Sequence, residues 1–218
     1  MAITRVGELR KVFKDGRSEL LNGVARLAIL YEDLRLEMKE LQGLRRTVIE
    51  LGEDDTDNRV PYFLRRALKT LVEFGSALNV IRQTDEFKTA APKLAPLDSK
   101  YIVNADKYLQ QNWGLIKELR NEFGGHVQAG AVEFAVTHLT SEVGKVTWNP
   151  DPGAWTAGIE CDFAGVLMAG GISSKLQSGG EVLVELRKAL EVMSQGFNHA
   201  QAAMVAIVHA FLWESFGR

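Results

Sequence analysis

A chain of 218 residues can bury one substantial core, so one domain carrying an insertion is expected rather than two equal domains. Apolar residues at 46% and charged residues at 25% exclude wholesale disorder, and a single cysteine, Cys161, excludes an internal disulfide and any multi-cysteine metal site. A net charge of −2 excludes bulk attraction to nucleic acid, although residues 1–128 hold 21 Lys/Arg against 19 Asp/Glu and residues 129–218 only 5 against 9.

The first helix is read from Leu20, Val24, Leu27, Tyr31, Leu34, Met38 and Leu41. Their alternating steps of four and three make the seam of a helix packed at a shallow angle on its neighbours. Leu44, Val48 and Leu51 extend it after one slip, and Gly52 before Glu53-Asp54-Asp55 is a stop signal. Asp57 and Asn58 are cap-type residues, and Pro61 suits a first helical turn, where its missing N–H is not needed. Behind them Phe63, Ala67, Leu68, Leu71, Phe74, Leu78 and Ile81 carry an apolar face toward Phe87. Ala90 to Leu97, with Pro92 and Pro96, reads as a linker. Asp98 or Ser99 is the expected cap of the third helix, whose face is Ile102, Ala105, Leu109, Asn112, Ile116, Leu119 and Phe123. Asn112 is the one polar residue in that seam. A buried amide left unpaired costs about 1–3 kcal/mol, so it is expected to have a partner, either to set register or beside a site.

After the third helix the texture changes. Ala129–Leu139 suits a short helix, and Gly144–Asn149 and Thr156–Phe163, joined across Asn149-Pro150-Asp151-Pro152-Gly153, alternate like a β-hairpin. Trp148 and Trp155 flank that turn, and Gly170-Gly171 and Gly179-Gly180 bound a flexible stretch. The last helix is expected from Glu181 to Ser215, with Leu183, Leu186, Leu190, Met193, Phe197, Ala200, Met204, Ile207 and Phe211 as a core-packing stripe. The pattern therefore predicts an all-α protein: an up-down bundle of four long helices, a single domain over 1–218, with a small Gly/Pro-rich insertion at 140–180 before the last helix. No apolar stretch of signal-peptide length follows Met1-Ala2-Ile3-Thr4-Arg5. The near-apolar runs Phe163–Ile172 and Ala202–Trp213 fall short of the roughly 20 residues that span a bilayer. A cytoplasmic protein without membrane contact is expected.

Most catalytic signatures are missing from the sequence. Gly144-Lys145 lacks the earlier glycine and following Ser/Thr of a phosphate loop, and no Gly-x-Ser-x-Gly elbow occurs. No Glu-x-x-His or His-x-x-x-His pair exists, which argues against a dimetal carboxylate bundle or a zinc hydrolase. His199 and His209 lie about 15 Å apart along one helix and cannot share a metal ion, and His138 has no obvious partner. No metal and no cofactor are expected.

What remains is Lys117-Glu118-Leu119-Arg120-Asn121-Glu122-Phe123-Gly124-Gly125-His126-Val127, which puts a permanent cation, an amide and an imidazole where helix-favouring sequence meets two glycines. Such a set suits cleavage of an RNA phosphodiester. A neutral imidazole can take the proton of a 2′-hydroxyl or return one to the leaving oxygen, since its ordinary pKa of about 6.5 lies near working pH. A guanidinium can hold two phosphate oxygens as charge grows, and an amide can orient either group. On an unbroken helix Arg120 and His126 would point about 120° apart and stand about 9 Å apart along the axis. Convergence then needs either a break at Gly124-Gly125 or a second copy across a twofold axis. Lys117 and Glu122 flank the set as candidate substrate-binding residues, Glu122 lying one turn before His126. The plainer alternative has Arg120 paired with a carboxylate, Asn121 capping a carbonyl near Gly124, and His126 as a partly buried hydrogen-bonding residue.

Arg120, Asn121 and His126, in the form Arg-Asn-x4-His near the end of the third bundle helix, resemble the signature of the HEPN superfamily. The bundle resemblance spans most of the chain, while only these residues are motif-specific, and the Gly144–Gly180 segment departs from the minimal domain. The resemblance implies a homodimer whose facing motifs build one cleft, metal-independent endoribonuclease activity on an RNA substrate, and a setting in toxin–antitoxin or phage-abortive-infection systems with an antitoxin partner. It also admits a non-catalytic module that binds a nucleotide, RNA or protein partner.

Overall fold

Apolar side chains spaced three and four apart bury a stripe only if the backbone is helical, and helix predominates wherever the chain is described. The computed structural model describes residues 8–13, 16–51, 59–120, 146–149, 158–161, 182–213 and 216. Among them are α1 (Leu9–Val12), α2 (Glu19–Leu51), α3 (Arg59–Gln83), α4 (Asp85–Ala90), α5 (Pro96–Gln111), α6 (Trp113–Leu119) and α7 (Val182–Phe211), with a 3-10 turn at Ala91–Lys93. Strands β1 (Val146–Asn149) and β2 (Gly158–Cys161) pair antiparallel, Val146 opposite Cys161 and Asn149 opposite Gly158. The expected stop at Gly52, the Asp57/Asn58 cap, the Ala129–Leu139 helix and the rest of the 140–180 insertion lie outside the described residues. No helix among the described residues is long and apolar enough to cross a membrane.

The chain divides into two compact units. The first comprises Met1–Leu36, Thr70–Gly114 and Met193–Arg218, the second Glu37–Lys69 and Leu115–Val192. In the first unit the seam residues are the core: Leu20, Val24, Leu27 and Leu34 of α2, Leu71, Phe74, Leu78 and Ile81 of α3, Ile102, Ala105 and Leu109 of α5, and Met193, Ala200, Met204 and Ile207 of α7 are all buried. Aromatic rings also pair within this unit. Tyr31 and Phe197 are half-buried and stack nearly parallel with centroids 6.3 Å apart, and Phe87 meets Phe211 at 5.9 Å.

Contacts within this unit fix the sense of neighbouring helices. Gly23 of α2 stands against Ile81 of α3, and Ser18 just before α2 bonds Glu86 of α4. Arg82 of α3 pairs with Asp106 of α5, while Gly75 meets Leu109 and Trp113. Asp98 of α5 bonds His209 of α7, and Tyr108 stacks on His199. An early residue matched to a late one gives opposite senses for α2 with α3 and α5 with α7, and for α3 with α5 the pairs run in reverse order, Arg82 with Asp106 and Gly75 with Leu109. Close approach explains two glycines inside these helices, where glycine costs about 1 kcal/mol relative to alanine. A Cβ on Gly23 would lie 2.5 Å from Ile81 Cγ1, and one on Gly196 would lie 2.7 Å from Leu71 Cδ2.

Three local expectations are revised. The second helix does not run unbroken to Phe87, because Thr84 ends α3 and caps α4, its hydroxyl accepting the Phe87 N–H at 3.2 Å, and the linker from Ala90 to Leu97 holds a 3-10 turn. The third helix starts at Pro96 rather than after Asp98 or Ser99, because proline needs no amide partner in the first turn. It also does not run unbroken, ending at Asn112 before α6 begins.

In the second unit Met38 and Leu41 of α2, Leu64, Ala67 and Leu68 of α3, and Ile116 and Leu119 of α6 are buried. Glu37 is buried as well, and its Oε1 accepts the Arg66 Nε–H at 3.1 Å. The Arg66 guanidinium also bonds the Tyr62 hydroxyl at 3.2 Å, and these two bonds, Tyr62 first, hold its pKa above the usual arginine value.

Candidate functional site

The approach to the Arg-Asn-x4-His segment begins at Asn112. This residue is half-buried and closes α5, its backbone N–H reaching the Tyr108 carbonyl at 3.0 Å and its side-chain amide donating to the same oxygen at 2.9 Å. The partner expected for this amide is thus local. An amide that competes for a carbonyl one turn back weakens helical continuity, and the chain restarts as α6 at Trp113. Ile116 and Leu119 anchor α6 by burial, which leaves Lys117 exposed between them.

Arg120 follows directly and is half-buried, in a π-helical turn. Such turns widen the backbone by one residue and recur at functional positions in helices. Lys117 and Arg120 are three residues apart, so their side chains are neighbours on one helical surface. Asn121, Glu122, Gly124, Gly125 and His126 lie outside the described residues. The structure therefore places two of the five candidate residues, Lys117 on α6 and Arg120 directly after it.

Two other arrangements in the first unit were not foreseen. Asp98 lies in the first turn of α5 and is almost buried. Its Oδ2 meets Nδ1 of His209, in the last turn of α7, at 2.8 Å, while the imidazole is 61% exposed. The two helix ends suit these groups, an anion at an N-terminus and an imidazole at a C-terminus. Asp98 thus serves as a tie between helices, and no sequence signal joins residues 111 positions apart. The second is a groove of about 640 Å³ bounded by Asp85, Glu86, Thr89, Lys93, Ala210 and Phe211. Neither Asp98 nor His209 lines it. Among the described residues no group of three His, Cys, Asp or Glu side chains is placed to hold a metal ion.

No protein-family model, curated protein or solved structure matches the chain.

Proposed function

We propose that the protein is a metal-independent endoribonuclease of HEPN type, built as an up-down bundle of four long helices and acting as a homodimer. The observation that carries this reading is the Arg-Asn-x4-His spacing, which begins at Arg120 directly after α6. The opposed senses of α2, α3, α5 and α7 support the bundle order.

In this reading the His126 imidazole takes the proton of a ribose 2′-hydroxyl, and the 2′-oxygen attacks the adjacent phosphorus. The bond from phosphorus to the 5′-oxygen breaks, a proton returns to that oxygen from an imidazolium, and the products are a 2′,3′-cyclic phosphate and a 5′-hydroxyl. The Arg120 guanidinium offsets the charge that builds on the phosphoryl oxygens, and Asn121 orients the phosphate or the imidazole. In the same reading Lys117, exposed one turn before Arg120, would meet a neighbouring phosphate, and Glu122, four residues before His126 in sequence, would contact the imidazole. A toxin or phage-defence role with an antitoxin partner in the cytoplasm belongs to the same proposal. A second reading is a module that holds a nucleotide, RNA or protein without cleaving it, and the net charge of −2, which supplies no bulk attraction to nucleic acid, favours its protein-binding form.

The test is incubation of purified protein with a panel of structured and unstructured RNAs in EDTA, comparing wild type with His126→Ala and Arg120→Ala. Wild-type cleavage leaving 2′,3′-cyclic phosphate ends, lost by a factor of about 100 or more in His126→Ala, is expected. Cleavage that persists in His126→Ala, or none by wild type on any RNA, overturns the nuclease reading. In the second case a thermal shift with nucleotide or RNA would favour the binding module.

A further inference from the structure

We draw no further inference here: the strongest candidate, the Asp98–His209 pair between the first turn of α5 and the last turn of α7, is accounted for as a tie between two helices, and neither side chain lines the groove beside α7.

Discussion

Removing the Glu86 carboxylate tests how the start of α2 is held. Ser18 is buried, its hydroxyl oxygen accepts the Leu21 N–H at 3.1 Å, and its hydroxyl donates to Glu86 Oε2 at 2.9 Å. The same carboxylate oxygen accepts the Leu20 N–H at 2.8 Å. In a common capping box the acid sits three residues into its own helix; here α4 supplies it from 66 residues away. Glu86→Ala strips one helix N–H of its acceptor, about 1 kcal/mol by analogy with cap removal. It also unpairs the Ser18 hydroxyl, worth about 0.5–1.5 kcal/mol. Because Glu86 is exposed as a residue, water recovers part of this, and we expect a loss of about 1–2 kcal/mol. Urea unfolding followed by far-ultraviolet circular dichroism would read it as a midpoint lowered by about 0.5–1 M at an unchanged slope. A double-mutant cycle with Ser18→Ala should give a coupling of about 0.5 kcal/mol or more. A Glu86→Ala midpoint equal to wild type, or strict additivity with Ser18→Ala, would refute the shared cap.

Two further changes probe the first unit. Gly23→Ala gains about 1 kcal/mol of helix propensity but drives a Cβ to 2.5 Å from Ile81 Cγ1, and overpacking costs about 1–3 kcal/mol. The variant should melt below wild type, and its cost should shrink when measured in an Ile81→Ala background, which itself loses about 2–5 kcal/mol by opening a cavity in the core; a stabilised single variant contradicts the close approach. The Tyr31 phenol titrates above its ordinary value of 10.0, chiefly because burial disfavours the phenolate and then because Glu32 repels it, against smaller opposing effects of Arg35 and the Gln201 hydrogen bond. The folded chain keeps this proton after the unfolded chain has lost it. The contribution to stability is therefore complete below about pH 10 and lost as pH rises through the folded value. Tyr31→Phe should gain on wild type in urea midpoint between about pH 9 and about pH 11, and parallel curves would remove the assignment.

The helices were legible because hydrophobic period is a local property. Leu20, Val24, Leu27 and Leu34 announce a buried stripe whatever packs on it, and all are buried. What sequence could not show are the long-range choices. Asp98 has the composition of an N-cap, yet Pro96 takes the helix start two residues earlier and frees the carboxylate for His209. Asn112 fits the apolar seam by spacing alone, but its amide turns to the Tyr108 carbonyl and closes α5. Glu86 carries no mark of its role, since the N–H it accepts belongs to a distant helix. Of the candidate site, Lys117 and Arg120 are placed by the structure, and the proposed roles of Asn121, Glu122 and His126 rest on spacing.

Spacing alone leaves open how a guanidinium and an imidazole six residues apart act together. The divergence of about 120° holds for an unbroken α-helix, which advances about 100° per residue, and a wider turn advances less. Subunit complementation tests the two routes to convergence left open by the sequence. In a twofold homodimer whose single cleft holds two symmetric pairs, each joining Arg120 of one copy to His126 of the other, a mixed dimer of Arg120→Ala and His126→Ala keeps one pair intact. Random reassociation makes half of all dimers mixed, each with one of two pairs restored, so activity should return to about a quarter of wild type. If both inactive variants still dimerise and their mixture stays inactive, the groups act within one protomer and the composite cleft is wrong.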